Sequence, residues 1–83
     1  MEDRLTEAQL AARLENAAAK VSVGEKYRHY KGGEYEVVDL AIEESSGEPV
    51  VVYKPLYGQG LSFTRRVDVW CEQVDGQQRF ALL

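Results

Sequence analysis

The stretch from Tyr27 to Tyr35 constrains the possible fold more than any other part of the chain. It holds the single histidine, three of the five tyrosines and the adjacent glycines Gly32 and Gly33. A two-residue Gly-Gly loop suits the positive φ angles of the tight turns that join antiparallel strands. The stretch therefore predicts a β-hairpin, with a first strand over 25–31 and a second over 34–43.

A two-residue turn at this point fixes the register of the hairpin. The predicted rungs place opposite charges, two rings, or a histidine and a carboxylate side by side. They are Lys31 with Glu34, Tyr30 with Tyr35, His29 with Glu36, and Lys26 with Asp39. The apolar positions change side at Val37 and Val38. This change predicts either that both faces are covered there or that a β-bulge resets the alternation.

The residues before the hairpin predict a helix over 5–20. Thr6 and Gln9 have the spacing of a capping box, and Leu5 and Leu10 have that of a hydrophobic staple. The apolar stripe follows helical spacing at Leu10, Leu14, Ala17 and Val21. Because helices gain most of their stability from packing, we favour a helix that lies on the β-barrel predicted for the rest of the chain or closes one end of it. The alternative is a detachable helix that docks a partner.

Short β-rich segments make up the remainder of the chain. Strands are predicted over 50–54, 61–66, 72–74 and 77–82, with a short helical turn or a crossover over 67–70. The Asp75-Gly76 pair is a strong hairpin signal. Its register sets Glu72 opposite Arg79 and Cys71 opposite Phe80. We therefore expect Cys71 to be buried as a small apolar residue.

The number and spacing of these strands indicate the fold class. A length of 83 residues allows one domain. Five or six short strands separated by turns favour a mainly β fold, and closing so small a sheet hides its edges. We expect an SH3-like β-barrel of antiparallel strands over 23–83, preceded by an N-terminal helix within 1–22.

Charge is distributed unevenly along the chain. The net charge is −4, and the segment 36–49 alone carries five carboxylates and no cation. This excludes the broadly basic surface of non-specific nucleic-acid binders, although it allows an anionic partner on another face. With one cysteine, no long apolar run and no visible secretory signal, the sequence favours a cytoplasmic protein without a membrane segment.

Catalytic and metal sites have little support in the sequence. His29 is the candidate acid or base, but we favour a strand histidine bonded to Glu36. One cysteine and one histidine far apart do not make a zinc site, and the carboxylates lack the order of a calcium loop. We expect no metal and no cofactor.

The remaining candidate site combines cations with rings, a pairing that can stack a base and hold a phosphate or carboxylate. The candidate ligand-binding residues are Arg28, His29, Tyr30, Lys31, Tyr53, Tyr57, Arg65 and Trp70. Arg28 and Arg65 are predicted to lie on otherwise apolar strand faces, where an arginine needs an anion. We favour a protein carboxylate, such as Glu36 or Asp68, over a ligand.

Several motifs in this chain resemble those of a widespread, short bacterial domain family of unknown function. The resemblance covers about residues 23–81. It is carried by Gly24-x-x-Tyr27-Arg-His-Tyr-Lys-Gly-x-x-Tyr35-x-Val37, by Val51-Val-Tyr53-x-x-Leu56-Tyr57-Gly58, by Phe63-x-Arg65 with Trp70, and by Val74-x-Gly76 with Arg79-Phe80. The chain departs from the family pattern at Thr64 and Arg66, where valine and proline are usual. The resemblance implies a compact β-rich domain and supplies no reaction.

Three functions are consistent with these patterns. The first is a non-enzymatic binding module that recognises a peptide, a nucleic-acid segment or a small anion through the arginine and ring residues. The second is an enzyme or enzyme subunit that uses His29 as acid or base. The third is an adaptor that docks a partner through its N-terminal helix. The oligomeric state is left open.

Overall fold

A computed structural model describes residues 5–83, and these form two helices and seven strands. The elements in chain order are α1 (Glu7–Ala18), β1 (Lys26–His29), β2 (Glu34–Ile42), β3 (Pro49–Pro55), β4 (Phe63–Arg66), α2 (Val67–Trp70), β5 (Gln73–Val74), β6 (Gln77–Gln78) and β7 (Phe80–Leu82). Within the described residues, neither helix has the length and apolar character that crossing a membrane requires. The part of the predicted N-terminal unit over 1–4 lies outside the described residues.

Five strands form one antiparallel sheet, and two form a separate hairpin. The order in the sheet is β4-β3-β2-β1-β7, and β5 pairs only with β6. A mainly β fold with one N-terminal helix is therefore confirmed. The predicted SH3-like barrel is not confirmed, because the outer strands β4 and β7 are not hydrogen-bonded to each other.

Helix α1 begins at the predicted capping box and packs on the sheet. The Thr6 hydroxyl accepts from the Gln9 N–H at 3.1 Å, and the Gln9 side-chain oxygen accepts from the Thr6 N–H at 2.8 Å. Ala17 is buried in the core. Arg13 Nη1 donates to the carbonyl oxygen of Gly47 at 2.9 Å. The helix is thus held against the loop between β2 and β3, as the favoured interpretation expected.

The hairpin of β1 and β2 is present, but its predicted register is wrong. Tyr35 pairs with Tyr27 instead of Tyr30, an offset of three residues, and Glu34 pairs with Arg28. The turn is longer than two residues, because β1 ends at His29, whose N–H donates to the carbonyl oxygen of Gly33 at 2.7 Å. Since the offset is odd, it exchanges the side chains that share a face with Tyr35.

Of the two alternatives for Val37 and Val38, the structure has the β-bulge. The register against β3 shifts between Val37 and Asp39. As a result Val37 lies fully in the core, whereas Val38 is exposed. The extra residue bends the strand and lets β2 pair with β1 at one end and continue along β3 at the other.

The second hairpin has the predicted register. Gln73 pairs with Gln78, and both Asp75 and Gly76 adopt positive φ angles, as a two-residue turn of this kind requires. The expected burial of Cys71 against Phe80 is wrong. Cys71 follows α2 and is exposed, because the chain leaves the hairpin after β6 and β7 pairs with β1.

Candidate functional site

The ring of Phe80 is the point at which distant parts of the chain meet. Trp70 stacks on it with ring centroids 3.6 Å apart. The His29 ring approaches it edge-on at 4.9 Å, and the Tyr35 ring approaches at 5.8 Å. The Arg65 guanidinium lies over it at 5.5 Å from the centroid. Strands β1, β2, β4 and β7 therefore contribute to one small area of the molecule.

We call this area the Arg65 surface and define it by its members. They are His29, Tyr30, Lys31, Tyr35, Tyr57, Arg65 and Arg79. Phe80 lies below them and is buried. The members come from the end of β1, the β1–β2 turn, β2, the loop after β3, β4 and the residue before β7.

Within residues 5–83, Arg65 lacks the protein carboxylate that the sequence led us to expect. Its side chain is partly buried, and its Nε donates to the Tyr53 hydroxyl at a long 3.4 Å. Asp68 is paired with Arg66, whose Nε donates to Oδ1 of Asp68 at 3.1 Å. Glu36 lies opposite Lys26. Among residues 5–83, no carboxylate forms an ion pair with Arg65.

The other described arginines differ from Arg65 in this respect. Each of them forms an ion pair, and the pairs are Arg13 with Glu48, Arg28 with Glu34, Arg66 with Asp68, and Arg79 with Glu72. The prediction that Arg28 lies on an apolar face is wrong. Its side chain is exposed and reaches Glu34 at 2.9 Å, since the observed register makes these residues cross-strand neighbours. Arg28 therefore stands apart from the Arg65 surface.

His29 sits among cations instead of beside a carboxylate. The expected contact with Glu36 is wrong, and His29 Nδ1 instead accepts from the backbone N–H of Lys31 at 3.2 Å. Burial lowers the pKa of His29 below its ordinary value, and the charges of Arg65, Arg79 and Lys31 lower that pKa further. The potential at His29 is therefore positive.

The hydroxyls of Tyr35 and Tyr57 contact each other within the Arg65 surface. The Tyr35 and Tyr57 hydroxyl oxygens are 3.3 Å apart, and a methyl group added at Gly33 would lie 3.1 Å from each. The hydrogen bond with Tyr57 raises the pKa of Tyr35, burial raises it further, and Arg65 acts in the opposite direction. Tyr57 is 57% exposed. The surface thus offers a pair of tyrosine hydroxyls, and the charge of Arg65 acts on that of Tyr35.

The rings predicted as ligand contacts divide into two groups. Tyr53 and Trp70 are 7% and 2% exposed, so they form the core below the surface. The Tyr30 ring lies 4.6 Å from that of His29, and Lys31 Nζ lies 5.7 Å from the Tyr30 ring centroid. Tyr30 and Lys31 therefore belong to the surface, together with Tyr57.

Sequence reasoning missed Tyr35 and Arg79 as members of the site. The predicted register set Tyr35 opposite Tyr30, so it did not indicate the contact of Tyr35 with Tyr57. Arg79 was assigned to the second hairpin, and it does pair with Glu72 at 3.0 Å. Its backbone carbonyl also accepts from the Tyr30 N–H at 2.9 Å, which ties this hairpin to the β1–β2 turn. The Arg79-Phe80 motif was a signal for this position.

The molecule has an open groove beside the site and another away from it. One, of about 320 Å³, runs along the loop after β3 and has Tyr57 at its rim. The other, of about 280 Å³, separates α1 from β3 and α2. Among residues 5–83, no cluster of three or more His, Cys, Asp or Glu side chains is suited to a metal ion.

Comparison with known proteins supports the resemblance found in the motifs. Residues 25–82 match the model of the family described as a protein of unknown function (DUF1653). A crystal structure of a DUF1653 protein from Bordetella bronchiseptica is similar, with 41% sequence identity and a TM-score of 0.70. The match covers 78% of this chain and 90% of that chain. No curated protein matches the chain.

Proposed function

We propose that this chain, which belongs to the DUF1653 family of proteins of unknown function, is a non-enzymatic binding module. It recognises an anionic group of its partner at the Arg65 surface. The partner supplies a carboxylate or a phosphate, from a peptide, a nucleic-acid segment or a small anion. The observation that carries the proposal is the contrast between Arg65 and the four other described arginines, each of which has a carboxylate within the chain.

The environment of Arg65 favours an external anion. A partly buried guanidinium has lost part of its hydration, and an anion compensates for that loss. The Phe80 ring holds the guanidinium through a cation–π contact, which orders it before a ligand arrives. Hydrogen bonds from a guanidinium to an anion are about twice as strong as neutral ones. The Tyr35 and Tyr57 hydroxyls, which are 3.3 Å apart, provide further hydrogen-bonding groups on the same surface.

His29 fits a binding role better than a catalytic one. A general base is usually oriented by a carboxylate on its second ring nitrogen. Here Nδ1 of His29 accepts from a backbone N–H, and among residues 5–83 no carboxylate hydrogen-bonds the ring. The neighbouring cations act against protonation of His29, and a bound anion offsets them.

The test compares two adjacent arginines on opposite faces of β4. Three probes are titrated into the labelled protein by NMR: inorganic phosphate, the peptide Thr-Ile-Thr-Glu-Thr-Ile-Thr, and a short oligothymidine. Arg65→Gln should weaken the tightest-binding probe about tenfold or more, because a charge-assisted hydrogen bond contributes about 1.5–3 kcal/mol. Arg66→Gln, the matched control, should change the affinity by less than about twofold.

Three results would contradict the proposal, two of them through the pattern of binding alone. One is that no probe binds the wild-type protein, and the other is that both variants bind as the wild type does. Equal weakening in both variants also counts against it, because a general loss of positive charge then explains the effect. The NMR spectrum of each variant reports whether the fold is retained.

A further inference from the structure

Strand β4 presents an unpaired backbone edge directly beside the Arg65 surface. It lies at one end of the sheet, and within residues 5–83 its backbone pairs only with β3. Phe63 and Arg65 are two positions apart, so their side chains share one face of the strand. An edge strand of this kind is a template on which another extended chain can pair.

We infer that the partner is an extended acidic peptide that adds to β4 as a sixth strand of the sheet. This inference rests on the proposed function, and it names the class of partner and the geometry of binding. Backbone hydrogen bonds to β4 supply affinity that is independent of sequence, and side chains on the inner face supply specificity. One acidic side chain of the peptide pairs with Arg65.

The side chains of β4 define the sequence pattern of the peptide. Phe63 is 48% exposed, and its ring lies 6.2 Å from that of Tyr53, so it extends the ring cluster to the sheet edge. A strand added beside β4 places residues two positions apart opposite Phe63 and Arg65. The expected pattern is therefore an apolar or β-branched residue and an acidic residue, separated by one position.

The charges around β4 favour a short acidic peptide over a nucleic acid. Beyond Arg65, the next cation on the strand is Arg66, which is already paired with Asp68. The charges of Glu48 and Glu43 also act on Arg66. A polyanion that follows β4 therefore meets the carboxylates that surround Arg66, whereas a single acidic side chain at Arg65 does not.

A second copy of the chain is a poorer occupant of this edge. Pairing of two β4 edges would place Arg65 and Arg66 of both copies on two adjacent strands, and like charges across strands are destabilising. The other outer strand, β7, lacks an adjacent arginine that is without a carboxylate partner among residues 5–83. The arginine that precedes it, Arg79, is paired with Glu72.

The experiment uses backbone methylation of the peptide Thr-Ile-Thr-Glu-Thr-Ile-Thr, which presents the pattern in both chain directions. Alternate N–H groups of a strand point to opposite edges. One version is N-methylated on the isoleucines and the glutamate, and a second version on the inner threonines. Strand addition predicts that one version loses affinity about tenfold or more and that the other keeps it. Amide exchange at β4 should slow in the complex.

The outcomes separate this inference from the proposed function. If both methylated peptides bind as well as the parent peptide, or lose affinity equally, strand addition is wrong. The proposed function still stands in that case if Arg65→Gln weakens binding of the parent peptide. Binding of oligothymidine in preference to the peptide overturns the choice of partner. Sedimentation of the protein as a dimer whose β4 amides are already protected assigns the edge to a second copy and also overturns the inference.

Discussion

Arg65 and Arg66 are adjacent in sequence, yet they have opposite surroundings. Arg66 points to the face that bears Asp68, with the charges of Glu43 and Glu48 nearby. Arg65 points to the face that bears Phe80 and Tyr53. The role of an arginine in this strand therefore depends on the carboxylates of its own face. Where the chain supplies an anion, the cation is already neutralised, and where it does not, the cation remains available to a partner.

The largest expected effect comes from supplying the missing carboxylate. His29→Glu places an anion among Arg65, Arg79 and Lys31, whose charges act on position 29 in the wild type. This internal anion competes with the partner, so affinity for the glutamate peptide should fall more than about tenfold. The measurement is an NMR or calorimetric titration of the variant.

His29→Gln is the matched control, because it removes the ring without adding a charge. Its affinity should stay within about threefold of the wild type, since neutral hydrogen bonds contribute about 1 kcal/mol or less. If His29→Glu binds the peptide as tightly as His29→Gln does, the charge at this position does not govern binding, and the contrast between Arg65 and Arg66 has no functional meaning.

A smaller effect is expected from Gly33→Ala. The added methyl group lies 3.1 Å from the hydroxyls of Tyr35 and Tyr57, which is closer than ordinary van der Waals contact, so both side-chain ends must move. We expect the affinity for the glutamate peptide to fall roughly threefold to fivefold, since a neutral hydrogen bond to the ligand contributes about 1 kcal/mol. Tyr57→Phe should cause a loss of similar size. An unchanged affinity in both variants shows that the hydroxyls do not contact the peptide.

The two hairpins show how far the sequence determined the fold. In the second hairpin, Asp75 and Gly76 both adopt positive φ angles, so the turn length and the register followed from the pair alone. In the first, Tyr27-Arg28 and Tyr30-Lys31 repeat the same residue types three positions apart. Either register pairs Glu34 with a cation and Tyr35 with a tyrosine, so cross-strand preferences did not separate them.

The site was less predictable than the fold, because an error in the register of a strand also changes which side chains share a face. Which arginine has a carboxylate depends on which face each strand position occupies, and the register error moved the faces of β1. The sequence did mark Arg65 as a cation among apolar residues, and that prediction is consistent with its place over Phe80. The sequence did not show that Asp68 pairs with Arg66. That pairing depends on the helical turn at 67–70, and the sequence allowed a strand crossover there as well.

A still smaller effect is expected when the pH is changed. Burial, Arg65, Arg79 and Lys31 all lower the pKa of His29 in the unbound protein, and a bound anion raises it. Binding therefore favours protonated His29, so affinity should increase as the pH falls from the bound-state pKa to the lowered unbound pKa. The glutamate of the peptide has an ordinary pKa of about 4.3, below that of an ordinary histidine. We expect a gain of roughly twofold to fivefold, measured by titration at several pH values.

Two controls sharpen this prediction. His29→Gln should remove the increase, because it removes the group whose protonation is linked to binding. In Arg65→Gln the His29 resonance should report a higher pKa than in the wild type, since one of the cations that lower it is gone. An unchanged pKa of His29 in that variant would mean that Arg65 and His29 do not interact.

The smallest effect is expected on the opposite face of β4, from Asp68→Asn. The hydrogen bond from Arg66 lowers the pKa of Asp68, so the pair stabilises the fold above the pKa of an unfolded aspartate and loses that contribution as the pH falls through the lowered value. Both side chains are more than half exposed, and such pairs contribute little. The melting temperature at neutral pH should therefore fall by no more than a few degrees.

Asp68→Asn also tests whether removal of a carboxylate is sufficient to make Arg66 a binding site. The charges of Glu43 and Glu48 remain near it, so we expect less than about a twofold change in affinity for the glutamate peptide. A new NMR shift perturbation at Arg66 would mean that Asp68 alone had kept that arginine from binding. A large loss of affinity would mean that the two faces of β4 are coupled, and Arg66 would then cease to be a valid control for Arg65.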